Sequence, residues 1–289
     1  MKTKIVVIVG PTAVGKSDFA VKYALENDGE IISADSRQVY KNLDIGTGKI
    51  TVEEMRGIPH HLLSIVDANE IFNVDKFCIY AKKAIENISS RGKLPIICGG
   101  TGFYIDSLAN NTIYPDVKHN TELRDELKNK TPAELINILN DLDTEYVHNL
   151  NNSEKNNKQR LIRSIEIAKE LGKVPGILKN DAQYDIKWIG LQLPFPELKE
   201  RIHARLIKRI DGGMLEEAER LHINGLSYER MEDLGLEYRY LSRYLQYSIT
   251  KDEMIEQLES EICKYAKRQM VWFKRNKEIE WINVKEIVA

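Results

Sequence analysis

The stretch Gly10-Pro11-Thr12-Ala13-Val14-Gly15-Lys16-Ser17 has the spacing of a loop that grips phosphate groups. Its glycines let the turn aim backbone N–H groups at an anion, Lys16 adds a point charge, and the Ser17 hydroxyl is placed to hold Mg²⁺. Such a cradle implies a phosphorylated ligand without naming the bond that breaks. The strand-end acid nearest the loop is Asp35, followed by Ser36, Arg37 and Gln38. A hydroxyl, a guanidinium and a carboxamide suit the reading of an organic group better than the positioning of water. Many phosphate-loop NTPases place a second carboxylate at the end of an apolar strand. Here "PIICGG" ends in glycines, so the phosphate reads as a leaving group.

These groups need a scaffold that brings them together, and the chain has the signals for one. Ile5 to Val9 is a short apolar run that ends in the phosphate loop, "EIISADS" leads to Asp35, and "KLPIICGGTG" leads to a glycine turn. "IKWIGLQL" and "IEWINV" supply two late strands, with amphipathic helical stretches between. The pattern predicts an α/β fold, a parallel sheet flanked by helices of the phosphate-loop type. In such a sheet ligands lie beyond the carboxyl ends of the strands, which gathers Gly10 to Ser17, Asp35 and Thr101 around one crevice. From about Ile113 to Asp185 the chain turns polar and rich in Asn and Lys, and reads as an all-helical insertion over 113–185 in a core of 1–112 and 186–289. Thr131 as N-cap, Pro132 at the first helical position and Glu134 closing a capping box open one insertion helix. "NKQRLIRSIEIAKELGK" forms another, and "NNSEKNNK" before it reads as a loop.

Composition bounds the class. The chain has 289 residues, 42% of them hydrophobic, and a formal net charge of −2, which argues against a protein coated in positive charge. The only apolar run near the N-terminus is too short for a signal peptide or a membrane span, so a cytoplasmic protein without a membrane partner is expected. Cys78, Cys98 and Cys263 lie far apart and read as reduced, packed thiols. Adjacent His60 and His61 cannot easily chelate one ion and read as structural. Tyr40, Phe103 and Tyr104 read first as packing. On the last long helix Lys264, Lys267, Arg268 and Arg275 fall on one side of a helical wheel, a basic stripe that suits nucleic-acid phosphates.

"GPTAVGKS", "ISADSRQVYKNLDIGTGK", "GIPHHLLSIV", "RGKLPIICGGTGFYI" and "YAKRQMVWFKR" resemble, in order and spacing, the tRNA dimethylallyltransferases, also called tRNA isopentenyltransferases. The resemblance spans nearly the whole chain and is of the bacterial type, since the zinc-finger extension of eukaryotic members has no counterpart. It implies that Gly10 to Ser17 hold the diphosphate of dimethylallyl diphosphate with Mg²⁺ near Ser17 and Thr12. The prenyl group would pass to N6 of adenosine 37 in the tRNA anticodon stem-loop, with no nucleoside triphosphate consumed. Asp35 would take the amine proton, while Lys16, Thr12, Arg201 and Arg205 would stabilise the departing diphosphate. RNA contacts are implied for Asp35, Ser36, Arg37, Gln38, Thr101, Arg124, Gln159, Arg160 and Arg163, and for Lys267, Arg268, Gln269 and Arg275 near the C-terminus. A monomer is expected.

Three places depart from the family pattern. "LGLEYRYL" stands where the family usually reads Ile-Gly-Tyr-Lys/Arg-Glu, Ile262-Cys263 replace a Thr-Arg, and Asn156-Asn157 replace a Pro-Asn-Asp. All three fall in the part expected to face tRNA, so reaction type is better determined than acceptor. Three other readings stay open: an adenylate isopentenyltransferase acting on free AMP, ADP or ATP; a small-molecule kinase or NTPase with Asp35 as base; and a noncatalytic RNA-binding protein on the same scaffold. The basic helix and the arginine-bearing insertion favour polymeric RNA over free nucleotide.

Overall fold

The computed structural model of the chain describes residues 2–176, 178–179 and 181–288. Two compact units emerge, Met1–Asn111 with Asp181–Ala289, and Thr112–Asn180. The first is built on a six-stranded sheet of β1 (Thr3–Val9), β2 (Gly29–Ser33), β3 (His60–His61), β4 (Leu94–Cys98), β7 (Tyr184–Gln192) and β8 (Glu280–Asn283). The strand order is β3-β2-β4-β1-β7-β8, and every pairing is parallel. Ile5 to Val9 are 3% exposed or less, as expected for a strand covered on both faces. β3 has no signal in the sequence: it is two residues long, and His60 and His61 are extended because they pair with Ile31 and Ile32.

The helices of this unit before residue 112 are α1 (Lys16–Glu26), α2 (Val52–Met55), α3 (Val74–Ser90) and α4 (Gly102–Ala109). The second unit contains α5 (Thr121–Leu127), α6 (Pro132–Leu142), α7 (Thr144–Asn149), α8 (Asn152–Lys155) and α9 (Lys158–Leu171). α10 (Phe195–Asp211), α11 (Met214–Ile223), α12 (Tyr228–Leu234), α13 (Leu236–Leu245), α14 (Lys251–Phe273) and α15 (Lys285–Val288) complete the first unit. Among the described residues no helix is long and apolar enough to cross a membrane.

The second unit packs around Leu127, Leu135, Leu139, Leu161 and Ile165, all at most 1% exposed. Thr131 caps α6 with the capping box that its sequence predicts. The unit differs from the expected all-helical insertion, because β5 (Thr112–Ile113) pairs antiparallel with β6 (Leu178–Lys179). Its C-terminal boundary is also earlier than 185. Tyr184 and Asp185 belong to the sheet, in register with Thr3 and Lys4. The expected loop around "NNSEKNNK" contains α8, which Asn151 caps in a box with Glu154. Asn157 then caps α9 by accepting from the Arg160 N–H, which gives this family departure a local structural role.

Candidate active site

The phosphate loop leaves β1 and enters α1 at the carboxyl end of the sheet. Gly15 sits at the N-cap with φ 98°, a left-handed conformation that suits glycine and turns the chain into the helix. Gly10, Pro11 and Val14 are buried and shape the loop through their backbone. Thr12, Ala13, Gly15, Lys16 and Ser17 line a cleft of about 650 Å³, within the range of small-ligand sites. Asp35, Gln38, Arg201, Arg205 and the Asp44–Thr51 segment line the same cleft.

The basic groups converge on the loop. Lys16 Nζ donates to the Pro11 carbonyl at 2.7 Å. Burial pushes its pKa down from 10.5 to about 8; Cys98 and Asp35 act to raise it and Arg205 to lower it. Arg201 and Arg205 lie one turn apart on α10 and reach the loop together. Arg201 Nη1 donates to the Val14 carbonyl at 3.4 Å, and Arg205 Nη1 donates to Thr12 Oγ1 at 3.5 Å. A further cation of the same helix, Arg209, also lines the cleft.

Asp35 follows β2 and plays two parts. Its Oδ1 accepts the backbone N–H groups of Arg37 at 2.8 Å and Gln38 at 3.2 Å, so it folds its own turn while lining the cleft. Thr101 Oγ1 accepts the Ser36 N–H at 3.1 Å, which ties the glycine turn after β4 to the turn after β2. Gln38 Nε2 donates to the carbonyls of Thr47 and Gly48, and thus braces a cleft wall.

Two residues of α14 reach this site. Gln269, expected among the RNA contacts, is 5% exposed. Its Oε1 accepts the Thr12 N–H at 2.8 Å, and its Nε2 donates to the Gly100 carbonyl at 2.9 Å. Tyr265, which is not among the site residues expected from the sequence, lines the cleft and hydrogen-bonds Thr101. Burial raises its pKa, so the phenol stays protonated. The four-residue spacing of Tyr265 and Gln269 is the signal that places both on one helix face.

The basic stripe itself is exposed but already partnered. Lys264 pairs with Glu261 at 2.6 Å, Lys267 Nζ stands 4.2 Å from the Phe195 ring centroid, and Arg268 lies 5.9 Å from that of Tyr265. Arg275 is beyond the end of α14 at Phe273, so a wheel does not place it; its guanidinium lies 5.0 Å from the Trp272 ring centroid. Ile262 and Cys263, a family departure, are buried.

In the second unit Arg124 and Arg163 both clamp Glu166, which is 1% exposed. Arg124 Nε and Nη2 donate to its two oxygens at 2.6 and 2.8 Å, and Arg163 Nη1 donates at 3.2 Å. Burial opposes ionisation of Glu166, yet the hydrogen bonds from Arg124, Asn120 and Arg163 outweigh it and hold the carboxyl at about 2. Gln159 and Arg160 are exposed, and Arg160 Nη1 lies 3.7 Å from Glu154.

Phe103 is 43% exposed, against its reading as packing. The two histidines and the two tyrosines read as structural from the sequence have partners within the fold. His61 Nε2 contacts Glu30 at 2.8 Å, and His60 Nδ1 contacts the Ile58 carbonyl at 2.8 Å. Among the described residues no group of three or more His, Cys, Asp or Glu could hold a metal. Tyr40 and Tyr104 are buried, and both hydroxyls bond the Phe72 backbone. The three cysteines are unpaired.

The model of the IPP transferase family matches residues 38–276. The chain belongs to the IPP transferase family. Among curated IPP transferase relatives, a protein named tRNA dimethylallyltransferase 2 from Treponema denticola is 44% identical over 96% of this chain and 95% of its own length. A tRNA dimethylallyltransferase from Anoxybacillus flavithermus is 40% identical over 98% of the chain and 91% of its own. Solved IPP transferase structures match as well. The tRNA isopentenylpyrophosphate transferase of Bacillus halodurans aligns with a TM-score of 0.74 at 35% identity, covering 98% of this chain and 90% of that one. A eukaryotic dimethylallyltransferase acting on tRNA aligns with a TM-score of 0.77 at 27% identity, covering 97% and 74%.

Proposed function

We propose that this chain transfers a dimethylallyl group from dimethylallyl diphosphate to N6 of adenosine 37 in the tRNA anticodon stem-loop, releasing diphosphate. One observation carries the reading: Lys16, Arg201 and Arg205 converge on the phosphate loop, and Asp35 lines the same cleft, while β4 is followed by Gly99-Gly100 in place of an acid. The names of the relatives support the same activity.

The physics of the reaction fits these residues. An exocyclic adenine amine is a weak nucleophile, so the allylic carbon becomes strongly cationic as the diphosphate leaves. Stabilising that anion is the main task, and Lys16, Arg201, Arg205 and the loop N–H groups supply preorganised positive charge. Ser17, with Thr12 beside it in the cleft lining, would hold Mg²⁺ when the ion is bound, and so few protein ligands suit an ion that keeps most of its water. Bound there, it would neutralise part of the departing charge. Asp35 Oδ2 accepts the N6 proton while Oδ1 keeps the Arg37–Gln38 turn. Thr101 and Tyr265 position the acceptor base, and the exposed cations of α14 bind RNA phosphates. The protein acts in the cytoplasm as a monomer.

Incubation with labelled dimethylallyl diphosphate, Mg²⁺ and either tRNA or AMP tests the reading. Label is expected in tRNA alone, with diphosphate released and no ATP present. Label in AMP would make the chain an adenylate prenyltransferase. Diphosphate release that needs ATP, or ATP turnover stimulated by a small metabolite, would overturn the transferase reading in favour of a kinase.

A further inference from the structure

The segment Asp44–Gly48 forms one wall of the cleft, and a buried carboxylate on a distant helix holds it. Glu217, on α11, is 2% exposed. Its Oε2 accepts the N–H groups of Asp44 at 3.0 Å and Ile45 at 2.7 Å, and its Oε1 accepts that of Gly46 at 2.9 Å. Three successive backbone N–H groups aimed at one anion make a nest, and here the protein fills it with its own side chain. The Tyr238 hydroxyl donates to the same Oε1 at 2.7 Å. From the other side Arg209 donates to the Gly46 carbonyl at 2.6 Å and pairs with Glu237 at 2.6 Å. Gly46 must lack a side chain, because a Cβ there would stand 2.6 Å from the Tyr238 hydroxyl.

The wall is connected to the phosphate loop. Arg205 Nη2 donates to the Gly48 carbonyl at 3.1 Å while Nη1 reaches Thr12, so this guanidinium is held between wall and loop. Ile45 and Ile50, half-buried, add apolar surface to the same lining. Glu237 and Tyr238 belong to "LGLEYRYL", the stretch that departs from the family pattern. The sequence puts it in the part expected to face tRNA, but both side chains brace the wall beside the phosphate loop.

We propose that Glu217 is a positioning residue for the prenyl donor, and that Tyr238 and the Arg209–Glu237 pair complete its grip on the Asp44–Gly48 wall. Held there, the wall fixes Arg205 against the diphosphate and sets the width of the cleft around the five-carbon chain. The proposal rests on the dimethylallyl diphosphate reading of the cleft, and it assigns this family departure to donor binding instead of RNA recognition.

Full-length Glu217→Gln and Tyr238→Phe separate the possibilities. A glutamine keeps one accepting oxygen and leaves at least one wall N–H unpartnered, whereas phenylalanine removes one donor and keeps the ring volume. With tRNA saturating, Glu217→Gln is expected to raise KM for dimethylallyl diphosphate by about tenfold with kcat within about threefold. KM for tRNA should not move. Tyr238→Phe is expected to shift donor KM in the same direction by about threefold. Calorimetric affinity for inorganic diphosphate with Mg²⁺ should weaken in parallel, because Arg205 loses its anchor. A raised tRNA KM with unchanged donor KM, or a lowered Tm with unchanged kinetics and diphosphate affinity, would overturn the proposal. If Glu217→Gln fails to fold, Tyr238→Phe carries the same split. A wild-type protein that transfers no dimethylallyl group would sink the donor reading instead, and the diphosphate affinities of wild type and variants would still decide whether the wall positions Arg205.

Discussion

Gln269 accepts the backbone N–H of Thr12 at 2.8 Å across 257 positions of sequence, so α14 is fastened to the phosphate loop by its own amide side chain. The other end of that amide donates to Gly100, and one buried side chain thereby holds the loops that follow β1 and β4. A residue so placed braces the phosphate loop, and we propose that it serves donor binding before it serves RNA.

Gln269→Ala is therefore expected to leave the Thr12 N–H and the Gly100 carbonyl without their partner, at a cost of about 1–3 kcal/mol in stability. Donor KM should rise, whereas the salt dependence of tRNA binding should stay at its wild-type slope. Denaturant titration and binding isotherms at several salt concentrations check both halves. A flattened slope with unchanged donor KM would return Gln269 to the RNA contacts.

Asp35→Asn keeps an oxygen for the Arg37 and Gln38 N–H groups and so preserves the turn, but it cannot take a proton. Single-turnover prenyl transfer should fall by at least about 100-fold, while donor affinity stays within a few-fold. Rapid-quench kinetics give the comparison, and unchanged transfer would remove Asp35 as the base.

The lowered pKa of Lys16 makes a pH prediction with a definite sign. The protonated ammonium attracts a diphosphate, and burial has brought its loss of charge down to about 8. For the donor, kcat/KM should accordingly decline as pH rises through about 8, since that ratio reports the free enzyme. Bound anion favours the charged lysine, so kcat should hold to higher pH. Lys16→Arg should abolish the inflection at reduced activity, because a guanidinium does not titrate there. An inflection that survives in Lys16→Arg belongs to another group.

Lys267 and Arg268 are exposed on α14, with their cations over the Phe195 and Tyr265 rings. Replacing both by Ala should weaken tRNA binding and reduce the slope of log K against log[salt] by up to about one unit per lost phosphate contact. Loss of the ring contacts alone would cost about 0.5–1 kcal/mol each in stability. A falling Tm with an unaltered slope would show that the stripe serves the fold and not RNA.

What the sequence determines by itself is what neighbours along the chain encode. The run Ile5–Val9, the glycine spacing of the phosphate loop, the Thr131 capping box and the pairing of Arg201 with Arg205 on one helical face are set by residues within a few positions of each other. Each is legible in the amino-acid order alone, and so is the parallel sheet, because its strands are short apolar runs separated by amphipathic helices. The tertiary structure decides which of the remaining polar residues meet. Gln269 finds Thr12, Glu217 finds the N–H groups of Asp44 to Gly46 from more than 170 positions away, and Arg124 and Arg163 find Glu166. The strand His60–His61 is of the same kind, extended only because Ile31 and Ile32 lie beside it. Hydrogen bonds of this sort leave no periodicity in the chain, because a buried amide or carboxylate takes its partner from whatever backbone the packing of sheet and helices carries to it.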